Sequence, residues 1–299
     1  MEQAAQDSLR VVVVSTLPRV VAGLDQMLTA MGHRIVAVVT TPGPARRRSS
    51  TYLQVVRDVP VGVDTLITTR PKRLARTLAA WEPDLIVCMS FPFRLPQELL
   101  DLPRLGVVNG HPAYLPRWRG PNSVGWMIRN GDTELGFTFH RMDGDFDTGP
   151  ILAQGTAPLE ESDGLEEIFG KIGRLAFSLF PVALGRVMRG DPGDPQTEEG
   201  ASYAPLFEDE WRRIDWSRPA GLIQRQARSW LGAADFAAGA IGDVDGKPMA
   251  IIKTRRLDGD TSQAAPGTVL RRCEADGTFV IQCGDGALEV LRAEPIAQG

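Results

Sequence analysis

The sequence lacks the residues on which disulfide-bonded and zinc-stabilised proteins are built. Its 299 residues contain three cysteines, Cys88, Cys273 and Cys283, with no CxxC pair and no metal-ligand spacing. Histidine is equally scarce, at three residues. We therefore predict reduced, mostly buried thiols in a cytosolic protein, and no metal site.

Long hydrophobic runs and a large charge excess are also missing. No apolar run approaches the roughly 20 residues of a membrane-spanning helix, and MEQAAQDS at the N-terminus carries no apolar signal core, so we predict no membrane partner. The net charge of -4 argues against a surface that binds nucleic acid throughout. With 43% hydrophobic residues, the chain has a globular composition and is long enough for two domains.

A glycine-rich turn is absent where a dinucleotide-binding fold would need one. Leu9 to Ser15 is a β-branched run typical of a buried parallel strand, and helical spacing up to Gly32 leads to a second apolar run, Ile35 to Val39. This β-α-β order predicts a doubly wound beginning. Because STLPRVVAG follows the first strand in place of GxGxxG, NAD-type binding is disfavoured.

The order of predicted elements indicates two domains. Strands alternate with short helices in residues 1–190, which predicts an α/β fold with a mostly parallel, Rossmann-like sheet. Residues 191–202 are acidic and rich in Pro and Gly, which favours a linker. In residues 203–299, short β-like runs separated by DG and GDG turns predict a smaller β-rich domain, either a barrel or a sandwich. Arg46 to Arg48 form either a solvated basic loop or a clamp for an anion.

Polar side chains in two segments are candidates for one site. Asn109 and His111 end an apolar strand within GVVNGHPAYLPRWRG, Gly106 to Gly120, at the edge where parallel sheets bind ligands. Asp147 lies between Phe146 and a Thr148–Gly149 turn within MDGDFDTG, Met142 to Gly149. The other histidines, His33 after a helix-ending glycine and His140 in mid-strand, are interpreted as structural.

An amide, an imidazole and a carboxylate without a nucleophile favour one kind of chemistry. No G-x-S-x-G elbow accompanies His111, and no second metal-ligand pattern converges on it. Asn109 can donate to an oxyanion, His111 can stabilise the same charge or move a proton, and Asp147 can orient the imidazole. This set predicts acyl transfer directly from one bound substrate to another.

The same segments resemble a known family. NGHPAYLPRWRG followed by MDGDFDTGPIL is similar to the folate-dependent formyltransferases, whose pattern is Asn-x-His, then Leu-Pro and Arg-Gly, then Asp-Thr-Gly. YAPLFEDEWRRIDW, Tyr203 to Trp216, and APGTVL, Ala265 to Leu270, resemble the C-terminal domain of the methionyl-tRNA enzymes. The resemblance implies a Rossmann-like domain that takes 10-formyltetrahydrofolate as formyl donor, and an OB-like second domain.

The resemblance also implies roles for individual residues. Asn109, His111 and Asp147 would be catalytic, stabilising the tetrahedral intermediate and handling the proton of an attacking amine. The residues expected at the folate are Phe91, Phe93, Leu95, Gly144 and Asp145, and those expected at the acceptor are Pro112, Ala113, Arg119 and Asn122.

The acceptor is predicted from departures from the family pattern. Pro112 and Ala113 replace the usual Gly-Ser, and Pro121 to Ser123 replace the Ala-Ala-Pro turn of the tRNA enzymes. These differences favour a small-molecule amine, such as an amino sugar or a hydroxyornithine-like amino acid. Methionyl-tRNA is the alternative acceptor, which the second domain supports. A formyltetrahydrofolate hydrolase and a non-catalytic folate-binding module are further alternatives.

Overall fold

The computed structural model describes residues 8–44, 49–231, 239–257 and 263–296. Arg46, Arg47 and Arg48 lie outside the described residues, so the basic loop stays a prediction. The chain divides into two compact units. The first unit is Met1–Arg119, Gly136–Thr156 and Gly173–Ser202, and the second is Gly120–Leu135, Ala157–Ile172 and Tyr203–Gly299. The predicted domain boundaries at 190 and 203 remain predictions, because chain segments before residue 190 contribute to both units.

A mostly parallel sheet of seven described strands organises the N-terminal part of the chain. Its spatial order is β3-β2-β1-β4-β5-β6-β7; the first five strands run parallel and β6 is antiparallel to β5. The β-branched composition of β1, VVVV at its centre, suits a strand covered on both faces. The strands are β1 Arg10–Ser15, β2 Arg34–Thr40, β3 Asp64–Ile67, β4 Leu85–Met89, β5 Val107–His111, β6 Glu134–Arg141 and β7 Ile151–Pro158. The predicted Rossmann-like architecture is confirmed.

Helices connect the strands, and helices of the first unit bury apolar residues against the sheet. Leu74, Leu78 and Leu99 are buried in one apolar cluster with Val12, Val14 and Ile86 of the central strands, since each short helix has one apolar face. The described helices are α1 Val20–Ala30, α2 Thr51–Arg57, α3 Leu74–Leu78, α4 Gln97–Leu100, α5 Ser123–Asn130, α6 Leu165–Met188 and α7 Ala220–Leu231. Short 3-10 turns at Pro71–Arg73 and Ala79–Trp81 flank α3.

Helix α6 contains a proline in its interior. It runs unbroken through Pro181, although a proline inside a helix usually kinks or interrupts it. Burial of Phe180, Ala183 and Leu184 on either side of the proline explains why the helix continues, because packing offsets the lost hydrogen bond. By length and composition α6 is apolar enough to cross a membrane, although no uninterrupted apolar run in the sequence approaches that length. A single such helix is weak support, since core helices of soluble proteins pass the same test.

The C-terminal part of the chain forms a separate antiparallel sheet. Its described strands are β8 Ala240–Val244, β9 Lys247–Leu257, β10 Val269–Arg272, β11 Phe279–Cys283 and β12 Gly286–Pro295, in the spatial order β10-β11-β12-β9-β8. Trp216, Ile223 and Trp230 pack with Ile281 and Leu288 in its core. The predicted β-rich second domain is confirmed. Cys88 and Cys283 are buried as expected, whereas Cys273 is exposed in the turn before β11.

The acidic segment 191–202 is held in place rather than free. Asp194 pairs through its backbone with Ile151, and the Arg186 guanidinium binds the carboxylates of Asp191 and Asp194. Gln196 donates from Nε2 to the carbonyl oxygens of Asp147 and Gly149, at 2.9 and 2.8 Å. This segment therefore supports the loop that carries the predicted catalytic carboxylate, a role that its composition does not indicate.

Candidate active site

The pairing of β5 with β6 places three polar side chains on one face of the sheet. Asn109 lies opposite His140, and His111 lies opposite Thr138. Since alternate residues of a strand share a face, Asn109, His111 and His140 come together. Gly110, between them, faces the other way, where an added Cβ would lie 2.9 Å from the Phe137 ring. Glycine at this position therefore lets the core rings pack directly against the strand that carries the site.

Asp147 reaches the same place from the turn between β6 and β7. Its backbone has a φ of 57°, and its carbonyl oxygen is held by Gln196. The turn requires Gly149, because an added Cβ would lie only 1.9 Å from the carbonyl oxygen of Arg141. The Thr148 hydroxyl donates to Asp143 at 2.8 Å. These contacts give the Asp-Thr-Gly segment a structural reason for each of its last two residues.

The hydrogen bonds of His111 determine which ring nitrogen can react. Nε2 lies 2.8 Å from the carbonyl oxygen of Trp118, which can only accept, so Nε2 carries a proton. In the neutral ring Nδ1 is then unprotonated, and it lies 3.5 Å from Oδ2 of Asp147. Burial lowers the pKa of His111, while the Asp147 charge and the Trp118 carbonyl act in the opposite direction. At neutral pH, Nδ1 is a free acceptor beside a carboxylate.

His140 is the residue of this site that sequence reasoning missed. Its Nε2 lies 3.1 Å from Nδ2 of Asn109 and 3.4 Å from Oδ1 of Asp147, and its side chain is buried. Asn109 Nδ2 also donates to Oδ1 of Asp147 at 3.2 Å. We interpreted His140 as structural because it lies in mid-strand. The register of the β5–β6 hairpin was the signal that could have found it, because His140 is the direct partner of Asn109.

Cys88 lies under the site, one strand away, but is a poor nucleophile. It is the β4 partner of Asn109 and is buried. Burial, together with the nearby Asp147 charge, raises the pKa of its thiol to about 12. The thiolate form is therefore scarce at neutral pH, which favours direct transfer between substrates over a covalent enzyme intermediate.

The structure brings the two predicted folate-binding stretches together. Phe91 and Phe93 contact each other with ring centroids 5.4 Å apart, and Leu95 is buried behind them. The guanidinium of Arg94 pairs with the carboxylate of Asp145 and lies 5.0 Å from the Phe146 ring centroid. Gly144, in the same turn, has no atom within 4 Å of an added Cβ position. An aromatic pair next to exposed backbone suits a flat heterocyclic ligand.

The residues predicted to contact the acceptor are mostly tied into the protein. Ala113 is fully buried and its carbonyl accepts from the Thr138 hydroxyl, whereas Pro112 is half-buried. Arg119 donates to Gln196 at 3.0 Å and to Glu198 at 3.3 Å. Asn122 belongs to the second unit and is 2% exposed, and neither polar atom of its side chain has a hydrogen-bond partner among the described residues. Their contact with substrate stays a prediction.

The described residues contain no group of three or more His, Cys, Asp or Glu side chains that could hold a metal ion. What they do contain is a neutral imidazole with a free nitrogen, a carboxylate and an amide at the carboxyl edge of a Rossmann-like sheet. Fold and site together indicate a transferase, because such a set of side chains can supply proton transfer and charge stabilisation to two bound substrates.

Comparison with known proteins identifies the family. Residues 9–184 match the family described as Formyl transferase, and residues 207–298 match Formyl transferase, C-terminal domain. The chain belongs to the formyltransferase family and is a formyl-transferring enzyme, which confirms the resemblance read from the Asn-x-His and Asp-Thr-Gly segments. A methionyl-tRNA formyltransferase of Pelobacter propionicus is 33% identical over 293 residues, which cover 94% of this chain and 87% of that protein.

Solved structures share the fold at lower identity. HypX from Aquifex aeolicus, in complex with tetrahydrofolic acid, has a TM-score of 0.70 at 21% identity, covering 96% of this chain and 44% of HypX. The chain thus spans less than half the length of HypX. An N-formyltransferase from Helicobacter canadensis, in complex with folinic acid and dTDP-3-aminofucose, has a TM-score of 0.66 at 16% identity and covers 96% of this chain and 100% of its own.

Proposed function

We propose that this protein transfers the formyl group of 10-formyltetrahydrofolate to a primary amine, and that the amine is the α-amino group of methionyl-tRNA. The observation that carries the chemistry is the orientation of His111. Its Nε2–H donates a hydrogen bond to the Trp118 carbonyl, and its unprotonated Nδ1 lies 3.5 Å from Oδ2 of Asp147. A base with this environment can accept a proton at neutral pH and be stabilised once charged.

The folate stretches fit the proposed donor. Phe91 and Phe93 would contact the pterin, and the exposed backbone at Gly144, with the carbonyl of Asp145, would contact its polar edge. Arg94 joins these two stretches through Asp145 and Phe146. The amine would form a new C–N bond to the formyl carbon of the bound donor, and the bond from that carbon to the donor nitrogen would break. The proton lost by the attacking amine would then go to that leaving nitrogen.

The remaining chemistry belongs to the chain's own residues. His111 accepts the proton that the attacking nitrogen loses, at Nδ1, since this is its unprotonated atom. Asp147 stabilises the imidazolium that results, while the hydrogen bond from Nε2 to the Trp118 carbonyl holds the ring in place. The nucleophile comes from the acceptor, because the nearest thiol, Cys88, is buried and protonated.

The relatives support methionyl-tRNA over our first expectation of a small amine. Several curated relatives, 30–34% identical and named methionyl-tRNA formyltransferases, match 87–96% of this chain, and both halves of the chain match family descriptions. A second domain of 92 matched residues, 207–298, suits an acceptor larger than the reacting amine. The proposed location is the cytosol, where aminoacyl-tRNA is found.

A small amine is the second candidate, because the acceptor-side segment departs from the family pattern in buried residues. Ala113 is 0% exposed and Asn122 is 2% exposed. The differences at Pro112–Ala113 and at Pro121 to Ser123 therefore change packed positions, not only surface ones. Substitutions at packed positions displace their neighbours, so they alter the local shape of the protein more than substitutions at exposed positions do.

One assay separates the candidates. The purified protein is given 10-formyltetrahydrofolate with charged initiator methionyl-tRNA, or with a panel of amino sugars and hydroxylated amino acids. We expect formyl-methionyl-tRNA to form, with a rate that falls steeply as salt rises. Formylation of small amines alone would replace the proposed acceptor. Formate release without any amine would indicate a hydrolase, and folate binding without turnover would indicate a binding module.

A further inference from the structure

His140 is buried beside the catalytic residues, yet the proton transfer proposed above assigns it no step. It is 1% exposed and contacts both Asn109 and Asp147. A buried imidazole that touches two of the three catalytic residues has a cost in desolvation and a defined set of partners. What it does follows from which of its nitrogens carries the proton.

The tautomer of His140 is set by the backbone. Nδ1 lies 2.8 Å from the carbonyl oxygen of Arg141, which can only accept, so Nδ1 carries the proton. In the neutral ring Nε2 is then an acceptor, and the group 3.1 Å from it is the amide nitrogen of Asn109. His140 thus accepts one of the two amide hydrogens of Asn109.

The other amide hydrogen of Asn109 is directed to Asp147. Nδ2 lies 3.2 Å from Oδ1 of that carboxylate. Rotating the amide by 180° would place Oδ1 of Asn109 against the carboxylate oxygen and the Nε2 lone pair, so both contacts would become repulsive. The neighbours therefore select one orientation, in which both amide hydrogens of Asn109 are directed to His140 and Asp147.

We infer that His140 is a positioning residue, which fixes the orientation of the Asn109 amide and, through it, the carboxylate of Asp147 for formyl transfer. This inference rests on the proposed function. It assigns His140 no contact with the substrates.

Two variants at the same position test the inference. His140→Leu removes the acceptor, whereas His140→Gln places an amide oxygen near the position of Nε2 and can again accept from Asn109. We expect His140→Leu to lower kcat about 100-fold, the scale of a small misplacement in an active site, with KM for donor and acceptor changed less than about threefold. His140→Gln should recover at least about tenfold of that loss.

His33→Leu is the matched control. His33 is another buried histidine of the first unit, and its Nδ1 accepts from the backbone N–H of Leu9 at 3.3 Å. This variant should lose thermal stability while keeping kcat, which separates the effect of burying a histidine from the effect of positioning. The inference is overturned if His140→Leu keeps kcat within about threefold of wild type. A folded His140→Gln that is no faster than His140→Leu would overturn it as well.

A spectroscopic readout keeps this test independent of the proposed function. The chain has three histidines, so the ring nitrogens can be assigned by ¹⁵N NMR of the wild-type protein. We expect His140 to carry its proton on Nδ1, and Asn109→Ala to shift its Nε2 resonance. A proton on Nε2 would overturn the inference even if the enzyme is active. Failure of every formyl-transfer assay, with the expected tautomer present, would overturn the proposed function alone.

Discussion

Two clusters in the first unit pair carboxylates with nitrogen bases, and they differ most in burial. At the site, the side chains of Asp147, His111 and His140 are 11%, 7% and 2% exposed. On segment 191–202, Asp191 and Asp194 are 32% and 70% exposed, and both bind Arg186. The distances also differ, at 3.4 and 3.5 Å in the first cluster and 2.7 Å in the second.

The two clusters differ in their capacity to exchange a proton. Arg186 stays charged at every relevant pH and its carboxylates raise its pKa further, so this cluster can hold a segment but cannot exchange a proton. His111 is kept neutral by burial, and its long contact with Asp147 leaves Nδ1 available to a substrate proton. Short, fully paired contacts suit an ion pair that holds a segment in place, whereas longer contacts around a titratable ring leave that ring able to exchange a proton.

The largest expected effect comes from removing a charge from each cluster in turn. Asp147→Asn should lower kcat about 1000-fold, because the imidazolium of His111 loses its counter-charge. Asp194→Asn is the matched control, and it should leave kcat within about twofold, since exposed ion pairs contribute little. Steady-state kinetics on both variants checks this, and comparable losses in the two would remove the functional distinction between the clusters.

The next effect concerns the backbone that carries the buried cluster. Gly149→Ala would place a Cβ 1.9 Å from the Arg141 carbonyl oxygen, the same atom that fixes His140. We expect a loss of about 3 kcal/mol in the free energy of unfolding, because backbone must move to relieve the clash. Urea unfolding measures this loss. Gly144→Ala, in the same turn but with open space around it, is the control, and an equal loss there would exclude the clash as the cause.

A smaller effect is expected in the titration of the buried imidazole. Burial lowers the pKa of His111, so its ring should become protonated only at a pH below about 6.5. Activity should then drop by at most tenfold for each further pH unit, because the protonated ring cannot accept a proton. In Asp147→Asn the charge that raises this pKa is gone, so the titration should move to lower pH. Ring ¹⁵N shifts recorded against pH test both statements, and a shift to higher pH would contradict them.

The smallest effect belongs to the exposed cluster. Hydrogen bonds from Arg186 and from the Gly193 backbone lower the pKa of Asp191 to about 2. Since its folded pKa is depressed, its stabilisation is present above the unfolded value of about 3.9 and is lost as pH falls through about 2. At pH 6 the wild-type Tm should therefore exceed that of Asp191→Asn by at most a few degrees. The two Tm values should converge as the pH approaches about 2. A constant difference across the range would show that charge is not its origin.

The sequence predicted the parts of the structure that depend on local pattern. The β-branched run of β1, the helical spacing of α1 and the turn-bounded Asp147 are local signals, and each led to the right element. Contacts between residues that are distant in sequence were not predictable in this way. His140 became visible as a site residue only through the β5–β6 register, and Gln196 only because segment 191–202 folds back on the Asp147 turn. Helix α6 continues through Pro181, where local propensity alone would predict a kink or an end, because its neighbours are packed in the core.

The bond from His111 to Trp118 has a consequence for how this enzyme can change. The hydrogen-bond acceptor is a main-chain carbonyl, in a residue with a φ of 58°. The side chain at position 118 therefore takes no part in the hydrogen bond to His111. The number of residues between the two does matter, because inserting or deleting one in 112–117 would carry the carbonyl away and free Nε2. A substitution at position 118 that keeps this backbone conformation would therefore preserve the hydrogen bond, whereas a change in loop length would remove it.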